Sequence, residues 1–298
     1  MTENEITPSR LESSLENGFT ITVEIPPPKG IKAEKSLETA RAVAQRVAGV
    51  NVTDNQRGIM RMSAMAFCHL LIDAGCEPVM QVCARDRNRL ALQSDLLGAA
   101  ALGIKNVCLM TGDHPAMGDH PDAKPVFDLD STLLIQLAAQ LSRGFNINGA
   151  AIKNHPEFYV GGVVNPFFEP IELEIMKTKK KISAGARFFQ TQPFFDLASA
   201  KTFLAKVKGF GVKFLLGIAP LKSKKMFDFL NQNVLTTSIP KAIEKRITGA
   251  SDPQTEGLRV AAELVNELRG IADGVHIMPI GQVSRLPELL DMIDEGKS

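Results

Sequence analysis

The chain has 298 residues, of which 44% are hydrophobic and 22% are charged, and its net charge is +1. This composition is that of a globular protein with a large buried core, and the near-neutral charge argues against a nucleic-acid-binding or membrane-surface protein, which would carry a basic stripe. No apolar run approaches the ~20 residues that span a bilayer and the first ten residues are polar rather than signal-like, so a cytoplasmic protein without membrane or nucleic-acid partners is expected.

Eight short segments rich in apolar and β-branched residues are predicted to be strands. Several end directly at a proline, a glycine or a polar cluster, and the first is stopped by Pro26-Pro-Pro28. In chain order the predicted strands are residues 19–25, 50–53, 78–83, 107–111, 159–164, 187–190, 212–216 and 275–278.

Segments with apolar residues at helical spacing lie between these strands and are predicted to be helices. Glycines such as Gly75 and Gly185 follow several of them, as is typical of helix ends. The predicted helices are residues 35–47, 60–74, 90–102, 131–141, 171–183, 197–208, about 224–231, 241–247, 255–269 and 286–293.

The strict alternation of strands and helices predicts a parallel sheet with right-handed crossovers. Eight such units in ~250 residues are typical of an α/β fold of the (β/α)8 TIM barrel type. We expect a polar N-terminal extension at residues 1–17 and a single barrel domain at residues 18–298. A doubly wound open sheet is the alternative, but no GxGxxG turn follows the first strand.

Cysteines and histidines show no metal-site spacing. The four cysteines contain no CxxC pair, and none of the five histidines falls in an HExxH frame. We therefore expect buried free cysteines in a reducing compartment and no structural metal.

The carboxyl ends of the strands are where a barrel of this kind carries its function. Amides and hydroxyls dominate there, with few carboxylates, which suits a large neutral or aromatic ligand better than a divalent metal. The residues at these ends are Glu24, Thr53 to Asn55, Gln81 to Asp86, Thr111 to Asp113, Asn165, Gln190 to Gln192 and Gln282.

Two carboxylates at strand ends are candidates for chemistry. Gly112 lets the backbone leave its strand sharply, so Asp113 stands on the rim, where it faces either water or a ligand. An Asx-turn that closes an ordinary loop is the alternative for Asp113. Glu24 is flanked by Val23 and Ile25, and a carboxyl group half removed from water there would suit a general acid; the alternative is a surface glutamate at a strand end.

Several short stretches, taken in their order along the chain, resemble the methylenetetrahydrofolate reductase family. They are Val23-Glu-Ile-Pro-Pro-Pro-Lys-Gly30, Arg85-Asp-Arg-Asn88, residues 92–99, residues 102–107, Thr111-Gly-Asp113, residues 126–131, Ala184-Gly-Ala186 and Thr191-Gln-Pro193. The resemblance covers about residues 18–292 and is closest to the branch fused to homocysteine methyltransferases or used as a flavoprotein subunit in anaerobic one-carbon pathways. No single stretch identifies the family, but the order of all of them along the chain is specific to it. The family fold is a (β/α)8 barrel, in agreement with the strand count.

This resemblance implies an oxidoreductase of methionine biosynthesis, in which a flavin reduces 5,10-methylenetetrahydrofolate to 5-methyltetrahydrofolate. By resemblance, Glu24 matches the general acid that protonates folate N10, and Asp113 matches the aspartate beside the N1 edge of the flavin. The implied substrate-binding residues are Gln192, which matches a glutamine that binds the pterin, together with Gln282 and Arg285. Gln282 stands where relatives hold the folate glutamate tail with an arginine, and Arg285 lies nearby as its substitute.

FAD is the cofactor that the resemblance implies, with FMN as the alternative. The residues matching flavin contacts are Thr53, Gln81, Thr111, Gly112, Asp113, Phe127, Asp128, Asn165, Glu174 and Lys181. Gln81 and Asn165 replace histidines of many relatives and Thr111 replaces an arginine, so contacts to the diphosphate and adenosine half are lost. Because these contacts are lost, FMN remains the alternative cofactor.

The electron donor is expected to be either NAD(P)H or an iron–sulfur partner subunit, within an oligomer or a hetero-complex. Two other functions are alternatives to the reductase. A metal-free lyase or aldolase needs a lysine inside the barrel, and Lys213 lies at the wrong end of its strand. A non-catalytic flavin- or folate-binding subunit of a larger one-carbon redox complex has no need of Glu24 and Asp113.

Overall fold

The computed structural model of the chain describes residues 7–233 and 239–296. Eight parallel strands close into a barrel in sequence order, with the first strand beside the last. The strands are β1 (Thr20–Glu24), β2 (Gly49–Val52), β3 (Pro78–Cys83), β4 (Asn106–Met110), β5 (Tyr159–Val164), β6 (Phe188–Phe194), β7 (Lys213–Ile218) and β8 (Gly274–Ile277). The (β/α)8 barrel is thereby confirmed and the doubly wound sheet is excluded.

Helices surround the barrel, and apolar side chains between the strands and the helices form the main hydrophobic core. The helices are α1 (Arg10–Asn17), α2 (Glu34–Val43), α3 (Ala64–Asp73), α4 (Arg89–Ala101), α5 (Ser131–Ser142), α6 (Ile171–Ala184), α7 (Leu197–Val207), α8 (Lys224–Asn233), α9 (Lys241–Thr248), α10 (Pro253–Leu268) and α11 (Leu286–Glu295). All of them except α1 match a predicted helix. Within the described ranges, no helix has the length and apolar character that a membrane span requires.

Helix α1 lies in the segment that the sequence indicates as a polar extension. Ser9 caps this helix, because its Oγ accepts a hydrogen bond of 3.1 Å from the backbone N–H of Glu12. Leu11 and Leu15 are buried and pack against Phe188 and other residues at the amino ends of the strands. Part of the expected extension therefore closes the lower, amino-terminal end of the barrel, while residues 1–6 lie outside the described part.

A cluster of apolar and aromatic side chains fills much of the barrel interior at this lower end. Tyr159 and Phe188 stack there with ring centroids 5.0 Å apart. Gly161 makes room for them, since a Cβ at this position would lie 2.3 Å from the Phe188 ring. Cys108 belongs to the same cluster, and burial raises the pKa of its thiol to about 12. That thiol therefore stays protonated at neutral pH and acts as a small apolar group.

Candidate active site

A cavity of about 530 Å³ opens at the carboxyl ends of the strands. This volume lies within the range of roughly 300–1,000 Å³ that is common for small-molecule sites. The cavity brings together most of the predicted site residues, namely Glu24, Gln81, Thr111, Gly112, Asp113, Glu174, Lys181 and Gln192. Met110, Val163 and Met278 add apolar surface to its lining.

A second groove, of about 1180 Å³, lies at the amino-terminal end of the barrel. Its lining includes Thr7 to Ser9 and the residues that follow α4. Function in barrels of this type resides at the carboxyl ends of the strands, where the backbone turns outward into variable loops. We therefore assign the active site to the smaller cavity.

Glu24, the last residue of β1, is only 7% exposed and meets a histidine that the sequence did not single out. Nε2 of His276, on β8, lies 3.9 Å from Oε2 of Glu24. Both residues line the cavity. The sequence does contain a signal for this position. Neighbouring side chains on a strand point to opposite faces, so a histidine between the apolar Val275 and Ile277 is expected to point into the barrel.

The end of β4 has the sharp turn that its sequence indicates. Gly112 has a φ of +90°, and a Cβ there would lie 3.1 Å from the Cβ of Cys83. Thr111 Oγ1 accepts a hydrogen bond of 3.0 Å from the backbone N–H of Ser131, the first residue of α5. Asp113 is exposed, and within residues 7–233 and 239–296 its carboxylate has no hydrogen-bond or ion-pair partner. Its carboxylate is thus available to a ligand, and the Asx-turn is not observed.

Arg85 joins the loops that follow β2, β3 and β4. Its guanidinium is buried and donates two hydrogen bonds of 2.7 Å to the carboxylate of Asp86. It also donates to the backbone carbonyls of Asn55 at 3.1 Å and Asp113 at 3.3 Å. This part of the polar rim therefore holds the loops in place beside the cavity.

Glu174 and Lys181, two turns apart on α6, are both buried against the end of β5. Lys181 Nζ donates a hydrogen bond of 2.7 Å to the carbonyl of Val163, and Glu174 Oε1 accepts one of 2.9 Å from the backbone N–H of Asn165. Burial lowers the pKa of Lys181, and the charge of Glu174 opposes that shift. Lys181 consequently lies at the cavity, although the run of lysines around it looks like a solvated helix face.

Four of the residues matched to flavin contacts lie outside the cavity lining: Thr53, Phe127, Asp128 and Asn165. Thr53 is buried, and its Oγ1 has no hydrogen-bond partner in the described part of the chain. Asp128 binds the side chain and the backbone N–H of Arg89. Asn165 Oδ1 accepts a hydrogen bond from the backbone N–H of Phe167.

Two of the residues matched to substrate contacts, Gln282 and Arg285, also lie outside this lining. Gln282 Nε2 donates a hydrogen bond of 3.2 Å to the carbonyl of Pro220. Arg285 is engaged by Glu288 at 2.5 Å and by the hydroxyl of Thr255 at 2.8 Å. The guanidinium of Arg285 is therefore already bound on the helical side of the barrel.

Arg57 is a cavity residue that sequence reasoning missed. It lies in a short turn at Gln56–Gly58, with a φ of +59° that is uncommon for a residue with a side chain. Its guanidinium carbon lies 4.9 Å from the centre of the Phe229 ring. Residues held in such backbone conformations often mark functional sites, because the surrounding structure must support the strain.

The chemistry of the cavity suits a planar heteroaromatic ligand. Amides and hydroxyls at the strand ends can bind the edges of such a ring, and the methionines and Val163 can contact its faces. Lys177 and Lys181 add two cationic groups to the lining, and such groups can bind an anion. Among the residues with described positions, no group of three histidine, cysteine, aspartate or glutamate side chains could hold a metal ion.

Comparison with known proteins gives one family and several structural relatives. A family model described as methylenetetrahydrofolate reductase matches residues 10–294. An uncharacterized protein from Clostridium thermocellum, described as binding two copies of 5-methyl-5,6,7,8-tetrahydrofolic acid, has a TM-score of 0.65 and 17% identity, with 96% of this chain and 98% of that chain covered. A tryptophan synthase from Mycobacterium tuberculosis has a TM-score of 0.55 and 13% identity, with 97% and 98% covered. At these identities the structural likenesses establish the fold alone.

Proposed function

The chain belongs to the methylenetetrahydrofolate reductase family, and from this premise we propose that it reduces 5,10-methylenetetrahydrofolate to 5-methyltetrahydrofolate with a bound flavin. The observation that carries the proposal is the single cavity lined by Glu24, Asp113 and Gln192, three residues of the family motifs that come from three different strand ends. The methyltetrahydrofolate-binding relative with the same fold supports folate as the ligand class.

Glu24 is the proposed general acid. Its carboxyl group lines the cavity and is largely shielded from water, so its proton passes to the substrate rather than to solvent. Protonation of folate N10 breaks the bond from N10 to the bridging carbon and leaves an electrophilic iminium at N5. When bound, the flavin supplies a hydride from its N5 to this carbon, and proton and hydride together complete the two-electron reduction.

The remaining cavity residues bind and orient the flavin and the folate. Asp113 would lie beside the N1 edge of a bound flavin, where its charge would disfavour the anionic reduced form. Gln192 binds the pterin, while Gln81, Thr111 and Gly112 contact the flavin ring. Glu174 and Lys181 serve the ribityl–phosphate side. FAD is the proposed cofactor and FMN its alternative, since the cations that relatives use for the adenosine half are replaced by Gln81, Thr111 and Asn165.

Arg57 is the residue we assign to the glutamate tail of folate. The tail is anionic and needs a cation near the cavity, but Arg285 is held by Glu288 and Thr255. Arg57 lines the cavity, and within the described ranges no carboxylate pairs with it. A guanidinium can bind a carboxylate through two parallel hydrogen bonds, so Arg57 is the better candidate.

The proposal is tested on the purified protein. Acid release of the cofactor followed by mass measurement distinguishes FAD from FMN. Anaerobic mixing with NADH or NADPH identifies the donor, because direct reduction bleaches the flavin, whereas an enzyme served by an iron–sulfur subunit stays oxidised. Methylenetetrahydrofolate should then reoxidise the reduced flavin and yield methyltetrahydrofolate. A flavin that stays reduced in the presence of this folate would favour a non-catalytic binding subunit.

A further inference from the structure

Buried polar side chains form a hydrogen-bonded network across the barrel interior, and two of them, Gln190 and His276, also line the cavity. Gln190 Nε2 donates a hydrogen bond of 2.7 Å to Asn51 Oδ1, and Asn51 Nδ2 lies 3.3 Å from Nδ1 of His276. The other ring nitrogen of His276 faces Glu24. Asn51, Gln190 and His276 are at most 3% exposed, and the proposed reaction gives none of them a part.

The donors and acceptors of these hydrogen bonds determine which ring nitrogen of His276 carries a proton. An amide NH2 group can only donate, so Nδ1 of His276 accepts from Asn51 and carries a lone pair. The ring proton of the neutral histidine is then on Nε2. Thr22 Oγ1, 3.1 Å from Nδ1, is compatible because its hydroxyl can donate either to Nδ1 or to the carbonyl of Val275. An imidazolium would instead set an N–H against the NH2 group of Asn51.

We propose that Gln190 and Asn51 hold His276 as the neutral Nε2–H tautomer, and that His276 is a positioning residue for Glu24. The proposal rests on the proposed role of Glu24 as the acid. At 3.9 Å the contact from Nε2 to Oε2 is longer than a hydrogen bond. It leaves the protonated Glu24 free to turn toward the substrate.

The Nε2–H group of His276 has its role after Glu24 has given its proton to the substrate. The O–H bond of Glu24 breaks and the N10–H bond of folate forms, so a carboxylate remains in a largely buried position. A buried carboxylate without a partner is costly, and the Nε2–H of His276, 3.9 Å from Oε2, can donate to it. His276 keeps its own proton throughout, so no further acid or base is needed.

Two substitutions of His276 test the positioning role. His276→Gln can retain an N–H near the Nε2 position, whereas His276→Asn retains polar atoms only near Nδ1. We expect His276→Asn to lower kcat for folate reduction about 10- to 100-fold, a part of what a general acid contributes, with little change in KM. His276→Gln should recover most of this loss, and flavin reduction by the donor should be normal in both. Equal kcat in the two variants and the wild type, or equal loss in both, would overturn the role.

The tautomer is tested separately by ¹⁵N NMR of histidine-labelled protein, with the His276 signal assigned by its absence from His276→Asn. We expect Nδ1 to be unprotonated and Nε2 protonated in the wild type. Asn51→Asp should move the proton to Nδ1, because a carboxylate only accepts, while Thr22→Val, the matched control, should leave it on Nε2. A protonated Nδ1 in the wild type would mean that both amides are turned over, and would overturn the inference.

The two readouts separate this inference from the proposed function. A protein that reduces folate but carries a protonated Nδ1 contradicts the inference alone. A protein with the expected tautomer but no folate reduction contradicts the proposed function, and with it the role of Glu24. If Asn51→Asp does not fold, the wild-type spectrum and the two His276 variants still decide.

Discussion

Asp54, two residues beyond β2, accepts a hydrogen bond of 2.9 Å from the backbone N–H of Cys83, the last residue of β3. The same carboxylate pairs with Arg87, which also reaches Asp95 on α4 at 3.1 Å. Burial raises the pKa of Asp54, and the charge of Arg87 opposes that shift. One buried carboxylate therefore joins two strand ends and, through Arg87, a helix.

Asp54→Asn should destabilise the fold by about 3 kcal/mol, because it breaks a buried ion pair and leaves Arg87 partly uncompensated. Asp95→Asn is the matched control. Asp95 holds the same guanidinium from a more exposed position, so its loss should cost about 0–1 kcal/mol. Urea unfolding measures the free energy of unfolding of both variants. Equal losses in the two variants would show that the burial of Asp54 does not increase its contribution to stability.

Glu24→Gln should lower the rate of folate reduction by ~10²–10⁴-fold, since the amide is far too weak an acid to protonate folate N10. Flavin binding and flavin reduction by the donor should persist, because Glu24 acts on the folate. Stopped-flow measurement of the two half-reactions separates these effects. Near wild-type reoxidation of the reduced flavin by methylenetetrahydrofolate would remove Glu24 from the mechanism.

Asp113→Asn should raise the flavin midpoint potential, because it removes a negative charge beside the N1 edge and so favours the anionic reduced flavin. For a two-electron couple, a shift of ~30 mV corresponds to ~1.4 kcal/mol. Asp122→Asn is the control, since Asp122 is exposed in the same loop but does not line the cavity. An unchanged potential in Asp113→Asn would place Asp113 away from the flavin ring.

Arg57→Gln should raise KM for methylenetetrahydrofolate and leave kcat nearly unchanged, because the tail is bound equally in the ground state and the transition state. The loss of a charge-assisted hydrogen bond, worth about 1.5–3 kcal/mol, corresponds to roughly a 10- to 150-fold rise in KM. Arg285→Gln should leave KM close to the wild-type value. The opposite pattern would assign the tail to Arg285, as the sequence alone suggested.

Asp128 provides a prediction on pH. Its hydrogen bonds from the side chain and backbone N–H of Arg89 lower its pKa to about 2. A carboxyl group with a lowered pKa stabilises the fold above its ordinary value of about 4 and loses that contribution as the pH falls through about 2. Carboxyl ¹³C NMR should show this midpoint, and Arg89→Met should move it upward. A midpoint near 4 in the wild type would mean that the pair does not form in solution.

The barrel could be predicted because the strands are short segments rich in apolar and β-branched residues, and each is followed by a segment with apolar residues at helical spacing. The eight strands and ten of the helices follow from these local patterns. Helix α1 escaped prediction because its only buried residues are Leu11 and Leu15. Ser9 followed by Glu12 is a capping-box spacing and was the available signal.

The site could be predicted only in part. Glu24, Asp113 and Gln192 meet because the carboxyl ends of all strands surround one opening. The pairing of Asn51 with His276 joins residues 225 positions apart inside the barrel, and no local pattern indicates it. Arg285 and Asp128 match family positions, but their side chains are engaged by Glu288 and Arg89, and partner choice of this kind depends on the packed structure.

Removal of the residues before residue 18, which include helix α1, should let water into the barrel interior. Leu11 and Leu15 of α1 cover the lower layer formed by Phe188 and its neighbours, and without them water could enter from the end opposite the active site. Water both donates and accepts, so it would compete with Asn51 for Nδ1 of His276 and remove the fixed direction of the hydrogen bonds beneath Glu24. If Glu24 is the acid that we propose, water at the lower end of the barrel should therefore slow proton transfer at the opposite end, and helix α1 would influence the reaction without lining the cavity.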